Sequence, residues 1–493
     1  MLRPIARTLG LADAIHLLRR TTHAFSWTHT KAFVGKNSDT VVDILLMNAT
    51  ANPKPVPPTW VNAGFKTWWK LPAADQQKVV DEVYKRVYEE NYELKRWWME
   101  EMTKDNLSIR EKMTLFWHGH FTTKFAIDDP MHAALMYRQN TLFRNLCLGN
   151  FRELLEKICI DGAMLFFLNG KDSTKNAPNE NFSRELLELY TTGIGHYTED
   201  DVKEGARVFT GWKVNIFTDE WKQYPIFQPF LNSDEHDFNS KAYLGQIISG
   251  DASSKTETLA LQEIKTLINT ILLKKSVVVS EFICEKLFRF FVYSKPQAED
   301  EALIKILAKT FRDNNWEIKP VVSQLLKSDL FFSDAVRGVQ IKTPAETIVG
   351  ITKHFDVKGD WKEWVMVTMG QELLNPPNVA GWPGYRKWAD TRTFPFAVQQ
   401  MGYFIWNQSN PQMITWAGQF DEKENSGRLI EQILQLFFAK SPTVAQKEKY
   451  KKELLGGNPD YEWPNMFKNS EVGGFRLKLL MISLVKSPDF HLC

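Results

Sequence analysis

The chain has 493 residues, 43% of them hydrophobic and 24% charged, a folded globular composition that excludes long disordered stretches. Lys and Arg number 61 against 59 Asp and Glu, a net charge of +2, so no global field recruits nucleic acid or an anionic membrane surface. The 17 Trp, 33 Phe and 13 Tyr point to large buried aromatic clusters or an aromatic-lined cleft.

Apolar spacing predicts a helix from Leu11 to Phe25, with the basic pair Arg19–Arg20 near its end. The Pro-rich stretch from Asn52 to Trp60 cannot be helical and reads as an extended strap. A long amphipathic helix follows from Ala73 to Lys104, then one from Ser108 to Phe121 that Ser108-x-x-Glu111 opens as a capping box. Further helices are predicted over Met131–Cys147, Phe151–Leu168, Asn181–Thr192 and Asp200–Thr210. From Trp212 to Phe238 the pattern alternates, contains prolines and has no helical stripe, which predicts one or two β-hairpins. Helices resume at Lys255–Leu273, Val278–Val292, Asp300–Asn314, Lys319–Lys327, Lys342–Phe355 and Trp361–Leu374. After an irregular loop from Asn375 to Trp388, three more are predicted near Arg428–Phe438, Thr443–Leu455 and Phe475–Val485.

One internal echo stands out. EKLFRFFVYSKP (Glu285–Pro296) is answered by EQILQLFFAKSP (Glu431–Pro442), and LLKSDLFF (Leu325–Phe332) by LVKSPDF (Leu484–Phe490). The expected architecture is therefore mainly α: a large multi-helix body with a small β-hairpin insert and a duplicated C-terminal helical unit. An N-terminal helical region, 1–211, would carry the candidate site. The insert would occupy 212–240, and a C-terminal helical region, 241–493, would contain the repeat over 285–331 and 431–490, all in one continuous globular unit.

Four scattered cysteines, Cys147, Cys159, Cys284 and Cys493, make neither a zinc knuckle nor a redox pair and read as reduced thiols. No run reaches the roughly 20 apolar residues of a membrane span. The opening segment, from Met1 to Phe25, lacks the apolar core and cleavage site of a signal peptide, so the sequence as given reads as cytoplasmic.

Chemistry-bearing residues concentrate between Trp117 and Trp212. His118 and His120, in FWHGHF, close a helix, and Gly119 between them permits both rings to converge there. They are candidate metal ligands, neutral imidazoles that need partners from elsewhere; the plainer reading is packing inside with backbone hydrogen bonds. Asn181, Arg184, Glu185 and Glu188 share one polar helix stripe, followed by His196. An acidic pair with a nearby His is how helical bundles build metal–carboxylate sites, while a solvated face or a pairing with Arg184 explains the stripe equally well. The acids after Thr198 read as residues opposing a helix dipole. His236–Asp237 in the insert is a candidate binding pair or a surface turn. In PPNVAGWPGYRKW, Trp382, Tyr385 and Trp388 either line a cleft for a sugar or peptide or anchor the loop to the core. No Gly-rich phosphate loop, HExxH, GxSxG or dinucleotide fingerprint is present, which disfavours the common nucleotide enzymes and serine hydrolases.

Across nearly its whole length the sequence resembles the bacterial domain-of-unknown-function 1800 family. The resemblance rests on LLRR, REKMTLFWHGHF, LGNFRELLEKICIDGAML, APNENFSRELLELYTTGIGHYTEDDV, GARVFTGW, the His236–Asp237 segment, IKTPAE (Ile341–Glu346), PPNVAGWPG and SPDF. It implies no established activity. It does imply export or a periplasmic location, which the absence of a visible signal here does not match, and a neighbour of the domain-of-unknown-function 1501 family as a partner.

Two functional classes follow. One is a hydrolase-like enzyme, metal-dependent or acid–base, with Glu185, Glu188, Arg184 and Asn181 as catalytic groups and His118, His120 and His196 around a divalent metal. The other is a non-catalytic scaffold for the neighbouring family's protein. In the first, the His118–His120 and Glu185–Glu188 segments should face each other with an imidazole in reach of a carboxylate, since buried polar groups are costly unless paired.

Overall fold

The computed structural model describes residues 6–51, 53–104, 107–125, 132–355, 357 and 361–493. Among the described residues the main regular elements are twenty-two α-helices and two small antiparallel sheets, so the chain is mainly α. Among the described residues no helix is long and apolar enough to cross a membrane.

Most predicted helices are present, and the departures have local causes. The expected start at Ser108 moves to Arg110, because Glu111 does not cap. Its carboxylate instead takes a bidentate pair from Arg144 at 2.8 and 2.9 Å and the Trp98 indole N–H at 2.9 Å. The stretch from Phe151 to Leu168 is two helices, Phe151–Ile158 and Gly162–Phe167, since Asp161 caps the second by accepting from the Met164 amide. Trp361–Thr368 stops short of Leu374, and two predicted starting points, Asn52 and Met131, lie outside the described residues. Helices Trp27–Phe33, Ser38–Ala51, Thr393–Trp406, Asn410–Ala417 and Trp463–Lys468 lie outside the predicted ones, although Ser409 and Gln412 form a capping box before the fourth. Ser38–Ala51 buries Val41, Val42, Leu45, Leu46 and Ala49 on one side, with Asp39, Thr40, Asp43 and Thr50 on the other.

The β-structure falls where alternation predicts it and continues beyond. Trp212–Val214 pairs with Pro229–Leu231, and a second hairpin joins Lys241–Tyr243 to Gln246–Ile248. Its two-residue turn, Leu244–Gly245, has both residues at positive φ, the geometry that matches strand twist in a tight hairpin. At this insert His236 and Asp237 are buried, not on a surface turn. His236 Nδ1 lies 2.7 Å from the Thr210 carbonyl and Nε2 lies 3.2 Å from Glu263. Glu263 also holds the fully buried Lys241 ammonium at 2.5 Å, and Asp237 pairs with Arg207 at 2.7 Å. This network ties the insert to the Glu257–Lys274 helix.

The buried apolar side chains fall into two clusters. One gathers Ser276–Phe291, Glu301–Asp313 and Ile318–Leu326 with much of the N-terminal half. The other gathers Ser426–Phe437, Val444–Leu455 and Ser470–Val485 with the Ala73–Thr103 helix. These helices carry the two echoed segments; each has a proline break after its first helix, and the second segment has an additional short helix, Trp463–Lys468, before its last. Leu11–Thr21 serves both clusters, giving Leu17 and Leu18 to the first and Ile15 to the second. Its basic pair ends the matching helices: Arg19 donates to the Leu436 and Phe438 carbonyls at 3.0 and 3.1 Å, and Arg20 to the Val292 carbonyl. Each guanidinium thus satisfies acceptors that a helix end leaves open.

Three predictions follow from this packing. Arg19→Met removes donors from two buried carbonyls and should cost about 2–4 kcal/mol in urea unfolding. Glu263→Gln leaves Lys241 buried without its counter-charge, for an expected loss of about 3–5 kcal/mol; a melting temperature equal to wild type would refute the network's role. Burial lowers the pKa of His23, His118 and His132 from 6.5 to about 3, so each stays neutral in the fold while the unfolded chain takes up protons below about 6.5. Stability should therefore fall as pH drops from 6.5 towards 3, by about 1.4 kcal/mol per pH unit for each ring, measured by denaturant unfolding at stepped pH.

Candidate functional site

A cleft of about 380 Å³ opens where four segments meet. Arg110–His120 brings Gly119 and His120 at its last turn, and Ser276–Phe291 brings Lys286, Arg289 and Phe290 near its end. Thr343 and Glu346 come from the start of Pro344–His354, and the loop from Ala380 to Trp388 supplies Trp382, Tyr385 and Trp388. Three of the segments that carry the family resemblance, REKMTLFWHGHF, IKTPAE and PPNVAGWPG, therefore face one another across it.

The aromatic wall depends on a backbone approach. Gly381 has φ +86°, and a Cβ there would stand 2.4 Å from the Gly119 carbonyl oxygen, so the loop lies on the HGH turn only with glycine at that position. The approach seats Trp382 beside His118, with ring centres 5.5 Å apart. The facing wall is rigid for a different reason. Thr343 and Glu346 form a reciprocal capping box around Pro344, and Glu346 also pairs with Lys112. Gln371 accepts from the Ala345 amide at 2.9 Å, and the Lys112 ammonium is the main cause that holds the Glu346 carboxyl down at about 2 against the effect of burial.

His120 and Lys286 are held from behind by a helix that changes type. Glu180–Glu185 is α-helical and Leu186–Thr191 is a π-helix, in which the Thr192 and Gly193 amides both reach the Leu187 carbonyl. The later carbonyls turn outward and take side-chain donors. Leu189 accepts from Lys286 Nζ at 3.1 Å, and Tyr190 from His120 Nε2 at 3.1 Å. Because Nε2 faces a carbonyl it carries the proton, so Nδ1 accepts from Lys286 Nζ, 3.0 Å away. Burial, then the Lys286 charge, push the His120 pKa well below its usual value, so the ring is neutral. Burial and the Arg289 charge in turn pull Lys286 down to about 8.

The two segments expected to share a site do meet, but through backbone. Among the described residues no hydrogen bond or ion pair joins His118 or His120 to a carboxylate. His118 is buried against Trp98, Phe143 and Trp382, and its Nε2 has no partner. Glu188 accepts from the Tyr197 hydroxyl at 2.8 Å, while Glu185 is half-buried with its pKa raised by burial and by Glu188. Arg184 pairs with Glu199 and Glu180, and Asn181 and His196 are exposed. No group of three or more His, Cys, Asp or Glu side chains among the described residues is placed to hold a metal ion. Of the residues singled out in the sequence, His120, Trp382, Tyr385 and Trp388 line the cleft. Sequence reasoning missed Lys286 and Arg289, although a Lys and an Arg inside the apolar run EKLFRFF were a usable signal.

Neither the curated proteins nor the solved structures include a significant match to this chain. The family model described as "Protein of unknown function (DUF1800)" matches residues 16–492, and the chain belongs to that family.

Proposed function

We propose that the cleft binds a small ligand carrying an anionic group and a flat ring, and that Lys286 performs acid–base chemistry on it. The observation that carries this reading is the seat of the Lys286 amine, in the cleft and 3.0 Å from a neutral imidazole. A lysine whose pKa is drawn down to about 8 populates both protonation states near neutral pH, as a general acid or base requires. His120 acts as a positioning residue: its Nδ1 fixes the direction of one Lys286 N–H. Arg289, half-exposed and paired with Glu285 at 2.5 Å, adds a second cation at the cleft edge. Trp382, Tyr385 and Trp388 offer faces for a ring. The acid–base form of a hydrolase-like enzyme is the class that these groups support.

Terephthalate, a flat dianion, is a suitable first probe. Calorimetric titration should detect binding to the wild-type chain, weakened at least about tenfold in Lys286→Met and in Arg289→Met, equivalent to about 1.4 kcal/mol each. Binding of equal strength in both variants, or none in the wild type, would overturn the assignment of this cleft.

A further inference from the structure

We propose that Lys286 is a nucleophilic amine that forms an imine with the carbonyl group of an anionic ligand held in the cleft. This inference rests on the cleft reading above and names its substrate class: a carbonyl compound bearing a carboxylate or similar anion.

The geometry around Nζ carries the argument. A tetrahedral nitrogen has four directions, and Cε takes one. Two N–H bonds are committed to His120 Nδ1 at 3.0 Å and the Leu189 carbonyl at 3.1 Å. The fourth direction meets no acceptor among the described residues; it holds a proton when the group is charged and the lone pair when it is neutral. Both fixed partners are acceptors, so they orient the neutral amine as readily as the ammonium. Neither partner is a carboxylate, so no direct ion pair holds the proton on. Burial and the nearby Arg289 cation shift the amine towards its neutral, nucleophilic form, while the Phe282 ring, centred 4.4 Å from Nζ, favours the ammonium. Glu285 on the same helix opposes that shift, and neutral His120 from the facing helix leaves the charge balance unchanged. Arg289 is also one turn along the helix, where it would receive the ligand's anion while the carbonyl meets Lys286.

The step balances without an outside oxidant or reductant. The Nζ lone pair attacks the carbonyl carbon, forming the C–N bond, and the carbonyl oxygen takes up a proton. Nitrogen then loses a proton, the hydroxyl leaves with a proton as water, and the C=N bond forms. A protonated imine keeps one N–H, which His120 Nδ1 or the Leu189 carbonyl retains.

The probe is 4-carboxybenzaldehyde with cyanoborohydride on the full chain, followed by peptide mass mapping. Lys286 should be reductively labelled at least about tenfold faster than exposed lysines such as Lys78 and Lys203, with a rate rising through pH 8. Lys286→Arg keeps the charge and the cap on Leu189 but has no such nucleophile, so labelling of that peptide should vanish while the melting temperature holds. Labelling of Lys286 no faster than of the surface lysines would overturn the proposal. Terephthalate separates the two readings. Its binding without fast labelling sinks the imine alone, and neither binding nor labelling sinks both. Fast labelling without its binding keeps the nucleophile and removes the anionic ring ligand.

Discussion

Arg19 and Arg20 stand side by side on a helix that is buried over most of its length, and each closes a different helix. The Ser426–Phe437 helix ends on Arg19, the Ser276–Phe291 helix on Arg20. Carbonyls at buried helix ends must find donors, and arginine offers five in one planar group. Burial lowers the Arg19 pKa only to about 10, so it remains charged while it caps. Gln340 adds to the arrangement, accepting from Arg20 at 2.6 Å and donating to the Arg289 carbonyl at 2.8 Å. The helix end thus fixed is the one that carries Lys286 and Arg289 into the cleft. Its position there depends on a contact made by a residue more than 260 positions earlier in the chain.

A second constraint shapes the opposite side of the cleft. Close approach of Gly381 to the Gly119 carbonyl seats an irregular loop on a helix end, and the π-helix turns unused carbonyls towards His120 and Lys286. Irregular backbone inside a protein leaves polar groups that water would otherwise satisfy. Here His120 and Lys286 satisfy them from the cleft side. The same two contacts that close the backbone account also set the amine in place, so stability and chemistry are coupled at one point.

Four buried histidines are used in one way. His16 meets the Phe331 carbonyl, His491 the Val485 carbonyl, His236 the Thr210 carbonyl and His120 the Tyr190 carbonyl. Each is buried, and each links elements or closes a turn. His120 differs in having its second nitrogen engaged by a side chain that lines a cavity. Residue type alone does not separate such a ring from its neighbours, because the hydrogen-bond chemistry of all four is the same on one nitrogen.

Periodicity in the sequence determined the mainly helical architecture and the β-structure near Trp212, because each is a local pattern that the chain expresses wherever it folds. It also marked His120 and Trp382 as functional candidates, through the unusual company they keep in FWHGHF and PPNVAGWPG. Only tertiary structure decided what surrounds them. The sequence pairs His118 with His120, yet a helical turn sends one ring among Trp98, Phe143 and Trp382 and the other to Lys286. It pairs Glu185 with Glu188 on one stripe, yet the change to a π-helix within that stretch presents backbone carbonyls to His120 in place of carboxylates. Lys286 lies 166 residues from His120. No local pattern encodes a contact at that separation, since it depends on how two cores pack against a shared helix and its two buried charges.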